Sequence, residues 1–173
     1  AAVYSFAAYI VEGDVRSKYL ENPPFGDIVY QDLTSDSQSW DHVTSDHRIQ
    51  IGYEDNQSSS VTLNGGSSVS SNSVMVGYGT NSPGELTVTG EGTQWDSSQG
   101  IFVGSDASST VKVENGAVLN TLGGFSVGQG AKSTVVVDNS TLGIGETFVF
   151  NDFGVGHNSS LTVKGNGSVN ISM

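Results

Sequence analysis

The sequence predicts an all-β chain: a right-handed parallel β-helix of about five to six coils, each about 25 residues long, preceded by an N-terminal cap. Three observations carry this expectation. An apolar–any–apolar–Gly tetrad returns five times, as Ile49-Gln50-Ile51-Gly52, Val74-Met75-Val76-Gly77, Ile101-Phe102-Val103-Gly104, Phe125-Ser126-Val127-Gly128 and Phe153-Gly154-Val155-Gly156, with its glycines 25, 27, 24 and 28 residues apart. A second apolar–any–apolar triplet trails each tetrad: Val61-Thr62-Leu63, Leu86-Thr87-Val88, Val111-Lys112-Val113, Val135-Val136-Val137 and Leu161-Thr162-Val163. Equivalent places carry like residues (Ile51, Val76, Val103, Val127, Val155), as expected when one site piles on another along an axis. Right-handedness is expected from the near-universal hand of parallel crossover connections.

Residues 1–24 read as the cap. Tyr9-Ile10-Val11-Glu12-Gly13-Asp14-Val15 is strand-like and Asn22-Pro23-Pro24 breaks it from the coil beyond. Terminal coils of a solenoid must hide open edges, so an irregular start is expected. The repeats are assigned to residues 25–173. A first, less regular coil spans 25–48, because Asp27-Ile28-Val29-Tyr30 followed by Ser39-Trp40-Asp41 parallels Glu85-Leu86-Thr87-Val88 followed by Gln94-Trp95-Asp96.

The unit from Ile101 to Gly124 shows how a coil is made. Ile101 and Val103 share one face and Phe102 takes the other. Gly104 to Ser109 is turn chemistry, Val111-Lys112-Val113 alternates again, and Asn115-Gly116 is a corner. Ala117-Val118-Leu119 forms a third extended piece before Gly123-Gly124 leads into the next tetrad. Hairpin architectures fit less well: propeller blades run to roughly 40 residues with a signature in each, whereas Trp-Asp occurs here only at Trp40-Asp41 and Trp95-Asp96. At the far end Ser168-Val169-Asn170-Ile171-Ser172-Met173 stops in mid-coil, so the chain is expected to be a piece of a longer protein and to self-associate through that coil.

Composition narrows the partners. The net charge is −12, with the acidity weighted toward residues 1–55, which hold ten Asp or Glu against Arg16, Lys18 and Arg48. Such a chain repels a phosphate backbone and an anionic membrane surface, so neither nucleic acid nor membrane insertion is expected. Cysteine is absent, and no stretch approaches the roughly 18 apolar residues of a membrane span.

Two consecutive units resemble a known repeat. Val76-Gly77-Tyr78-Gly79, then Gly84-Glu85-Leu86-Thr87-Val88-Thr89-Gly90-Glu91-Gly92-Thr93-Gln94-Trp95, is similar to one form. Phe102-Val103-Gly104, then Ser109-Thr110-Val111-Lys112-Val113-Glu114-Asn115-Gly116-Ala117, is similar to its partner form. Both resemble the β-helix repeat of autotransporter passenger domains in Gram-negative bacteria and of PEP-CTERM-associated surface proteins. The resemblance covers residues 49–171, with Ser109 and Ser160 where the repeat carries glycine. It implies export through the outer membrane by a C-terminal barrel outside this chain, and a role at the cell surface. The reading is a non-catalytic stalk or adhesin, in cell adhesion, aggregation or biofilm, that meets a host or bacterial surface, matrix or glycan. The alternative is a carbohydrate-active β-helix that binds or cleaves polysaccharide.

Residues suited to catalysis or metal binding are sparse. His42 and His47 lie near Asp41 and Asp46, yet their spacing matches no established ligand set, and His157 stands apart. No metal or other cofactor is expected. No Gly-x-Ser-x-Gly occurs to set up a strained nucleophile. Asp96, Asp106, Glu91 and Glu114 are candidate carboxylates for sugar cleavage, but they fall at non-equivalent places of the repeat. Asp and Asn recur in turns (Asp55-Asn56, Asp138-Asn139, Asn151-Asp152) without the nonapeptide of calcium-stacked rolls. No enzyme is expected. The candidate binding residues are Tyr53 and Tyr78, each directly after a tetrad glycine, where two rings on adjacent coils form an exposed aromatic ladder.

Overall fold

The computed structural model describes residues 3–5, 9–20, 28–34, 40, 43–150 and 158–172. The fifth tetrad, Phe153 to Gly156, lies outside them, as do Asn22-Pro23-Pro24, Asp41, His42 and His157. The chain is a β-solenoid of about five stacked turns, with three strands to the turn. Sheet B holds the first four tetrads, in β5 (Arg48–Ile51), β8 (Ser73–Val76), β11 (Ile101–Val103) and β14 (Phe125–Val127), and on the next coil β17 (Phe148–Phe150), all parallel. Phe150, not Val155 of the fifth tetrad, pairs with Val127, because Phe148-Val149-Phe150 offers the same apolar alternation one step earlier in the chain. Sheet A holds the triplets: β6 (Ser59–Leu63), β9 (Gly84–Thr89), β12 (Thr110–Glu114), β15 (Thr134–Asp138) and β18 (Ser160–Lys164), also parallel. Sheet C completes each turn with β7 (Ser68–Ser71), β10 (Gln94–Ser97), β13 (Val118–Thr121), β16 (Thr141–Ile144) and β19 (Ser168–Ile171).

The core is a set of in-register columns. Val61, Leu86, Val111, Val135 and Leu161 pile up under sheet A, and Ile49, Val74, Ile101 and Phe125 under sheet B. Under sheet C the column is Val69, Trp95, Leu119, Leu142 and Val169. These side chains form one buried apolar cluster, with Leu161 and Val169 partly buried at its far end. Each row of like residues thus becomes one wall of a continuous interior.

The tetrad glycine is required twice over. Gly77 and Gly104 take φ of 75° and 76°, a conformation that L side chains rarely adopt. A Cβ on either would sit 2.0 Å from the hydroxyl of Ser109 or Ser133 on the following coil. At Ser109, where the resembling repeat carries glycine, the hydroxyl is needed in the corner, and its neighbours repeat the pattern. Ser109 Oγ accepts from the Gly84 N–H at 3.1 Å, Ser133 Oγ from the Ser109 N–H at 3.1 Å, and Ser159 Oγ from the Ser133 N–H at 2.9 Å. Buried backbone donors that the corner leaves without a carbonyl are satisfied this way. At Asn115-Gly116 both residues take positive φ, 58° and 85°, which asparagine and glycine tolerate best.

The start of the chain corrects one expectation. Ile28–Asp32 is not a member of sheet A beneath the triplets. It forms β4, antiparallel to β3 (Val15–Leu20), and β3 runs antiparallel to β5 at the edge of sheet B. On the other side β2 (Tyr9–Glu12) covers β6 in the same antiparallel sense, and β1 (Val3–Ser5) pairs outside it. The parallel coils therefore begin at Arg48, and the closing segment extends to residue 34 rather than ending at 24. Apolar alternation gives a strand its two faces but not its direction, and Ile28 and Tyr30 are exposed. The equivalence of Trp40 with Trp95 has a structural counterpart: both are buried and their rings meet edge to face at 5.9 Å.

Candidate functional site

Four side chains gather at the corner that leaves sheet B near its N-terminal end. Gly52 and Gly77 each turn the chain outward, so Tyr53 and Tyr78 emerge one above the other on adjacent coils. Their rings stack, 5.7 Å between centroids and 10° between planes. The antiparallel segment adds Tyr30 from β4, 5.7 Å from Tyr53 and tilted by 52°, and Arg16 from β3, whose guanidinium lies 4.5 Å above the Tyr53 ring. Lys18 lies 5.6 Å over the Tyr30 ring.

Carboxylates fix the cation. Arg16 Nε donates to Asp14 Oδ1 at 2.9 Å, and Nη2 donates to Glu54 Oε1. The other oxygen of Asp14 accepts from the Glu54 N–H at 2.8 Å, which ties the first turn after the tetrad to the closing segment. Burial works against the Arg16 charge, but the hydrogen bonds and attraction from Asp14 and Glu54 outweigh it and raise its pKa. Tyr53 is held above the ordinary tyrosine value of 10.0, first by desolvation and then by the Tyr30 phenol, although Arg16 pulls the other way.

The stack changes what the tyrosines can offer. Sugar binding by an aromatic side chain uses the ring face, and the faces of Tyr53 are covered. β3 and β8 flank β5 on opposite sides, so Arg16 covers one face and Tyr78 the other. Tyr78 is half-buried, and Ser105 rather than a third ring stands at the equivalent place on the next coil. The recess beside that ring has a volume of about 420 Å³ and is lined by Tyr53, Glu54, Asp55, Tyr78, Gly79, Thr80 and Asp106.

A second concavity runs along the outer face of sheet C, with a volume of about 540 Å³. Its floor is the outward column Ser70, Asp96, Asn120, Gly143 and Asn170, and Leu122, 71 % exposed, stands on its rim. Gln94 Nε2 donates to both oxygens of Asp96 at 2.9 and 2.8 Å, and Asn120 Nδ2 donates to Oδ1 at 2.9 Å. Asp96 is thus pinned as an acceptor.

Of the remaining candidates, Glu91 and Glu114 sit at one corner on adjacent coils, where the Gly90 N–H donates to the Glu114 carbonyl at 3.2 Å, and the others lie apart from them. Asp106 and Glu91 lie in the corners after β11 and β9, Glu114 ends β12, and Asp96 belongs to sheet C. His47 is buried, with its ring 4.2 Å from that of Tyr19, while Asp46 is exposed. Among the described residues no group of three or more His, Cys, Asp or Glu is placed to hold a metal ion. Sequence reasoning missed Arg16, Asp14 and Tyr30, because they reach Tyr53 only through antiparallel pairing. The outward column of sheet C was readable as the polar partners of Trp95 and Leu119 but was not singled out. No family model, curated protein or solved structure matches this chain, so the site rests on its own geometry.

Proposed function

We propose that this chain is a non-catalytic, extracellular segment of an autotransporter-type surface protein, a rigid stalk or adhesin carried on the outside of a Gram-negative bacterium. One observation carries the reading: the coils stack in register over one continuous core, with mostly polar residues turned outward along sheets A and C. A rod of this kind presents the same weak contacts again at every coil, and avidity converts them into attachment. Its partners are a host-cell or bacterial surface, matrix or glycan, and other copies of itself. Beads coated with the chain should adhere to cells or matrix, or clump with one another, more than beads coated with an unrelated protein of equal charge. Equal behaviour on cells, matrix, glycans and self would overturn the reading.

The sheet C groove favours the carbohydrate reading in its binding form. Amides, hydroxyls and one pinned carboxylate, set among apolar surface that includes Leu122 and Ile144, line a trough that follows the rod axis, the direction an extended polysaccharide would take. Cleavage by paired carboxylates needs a second acid about 5–10 Å from the first, and among the described lining residues Asp96 is the one carboxylate. A glycan array probed with the wild type and with Asp96→Ala separates this from the stalk reading. Retention of a glycan that the variant loses supports binding in the groove, and no retained glycan removes it.

A further inference from the structure

We propose that the exposed part of the Tyr78 ring, with Asp106 and Asp55 beside it, binds the guanidinium group of an arginine carried on a basic protein segment. The two ends of the tyrosine stack are finished differently. At its N-terminal end the chain covers the Tyr53 ring with Arg16 and clamps that guanidinium between Asp14 and Glu54. At its C-terminal end the second ring of the stack lines a recess that also holds Glu54, Asp55 and Asp106, and among the described residues no cation lines it. Ser105 stands where a third tyrosine would continue the ladder, so among the described residues no third ring stacks on Tyr78.

The surroundings favour a planar cation. Asp55 Oδ1 already accepts from the Thr80 N–H at 2.8 Å, which holds its carboxylate at the wall of the recess. Among the described residues the Asp106 side chain, which is exposed, has neither an ion pair nor a hydrogen bond. A guanidinium lying flat on the Tyr78 face can direct its edge N–H groups toward carboxylates, as Arg16 does on Tyr53. A neutral sugar would leave the Asp106 charge uncompensated. An anionic ligand would be repelled by it and by the net charge of −12, which speeds the approach of a basic partner instead. The proposal stands on this local geometry and holds whether or not the rod is an adhesin.

The test is a titration of the isotope-labelled full chain with acetylated tetra-arginine amide, followed by amide chemical shifts, with tetra-lysine as the comparison. Saturable shifts should concentrate at Tyr78, Gly79, Thr80 and Asp106, and the arginine peptide should bind more tightly than the lysine peptide. Tyr78→Leu should weaken binding about fivefold to tenfold, Tyr78→Phe should retain it, and Asp106→Asn should weaken it. Shifts spread over all acidic corners, equal affinity for the two peptides, or an unaffected Tyr78→Leu variant would each overturn the proposal. If Tyr78→Leu fails to give the wild-type circular dichroism spectrum, Asp106→Asn decides the matter, since that exposed corner leaves the ring in place.

Discussion

Val103 lies at the middle of the sheet B stack, fully buried, with Val76 before it and Val127 after it in register. A carboxylate there would have no partner and no water. Val103→Asp should therefore destabilise the fold by more than about 4 kcal/mol, read as a lost or sharply lowered thermal transition. Wild-type melting would mean that the tetrad does not face the core. Tyr53 gives a milder test of a single residue. Its folded-state pKa is raised, so its contribution is fully present below the ordinary value of 10.0 and is lost as pH rises through the folded value. Ultraviolet titration should show a phenol ionising above 10.0 that returns toward the ordinary range in Tyr30→Ser. An unchanged titration in that variant would remove Tyr30 as a cause.

At the level of elements, the antiparallel strands β2 and β3 cover edges that would otherwise present unpaired N–H and C=O groups. Deleting residues 1–34 uncovers β5 and β6 and removes Val11, Val15 and Leu33 from the core. The shortened chain should melt lower and associate at concentrations where the parent is dispersed, measured by light scattering. The parallel coils were legible in the sequence because stacking places equivalent residues in register, which the five triplets and the first four tetrads record directly. On the last coil Phe148-Val149-Phe150, rather than the tetrad from Phe153, pairs with Phe125–Val127. The closing segment was legible only as irregular. Ile28-Val29-Tyr30 alternates whichever way the strand points, and its direction is fixed by pairing with β3. The same limit hid Arg16 from the tyrosine ladder: Tyr53 and Tyr78 are related by the repeat period, whereas Arg16 reaches them through a fold-back with no period at all.

For the molecule as a whole, EDTA should leave the melting temperature within about a degree or two, since hydrogen bonds and apolar columns account for the described corners without a metal. A large fall restored by calcium would show that the turn aspartates hold an ion.

The serine hydroxyls of the corners give the rod an arrow. The amide of Gly84 is satisfied by Ser109, that of Ser109 by Ser133, and that of Ser133 by Ser159, so each coil is finished only when its successor arrives. Fraying from the C-terminal side must then release these protons in a fixed succession: Ser133 first, Ser109 next, Gly84 last. Deuterium uptake under mildly destabilising conditions should keep that order, with well-separated rates. Simultaneous uptake at all three would show that the rod opens as one block and that the arrow has no influence on how it comes apart.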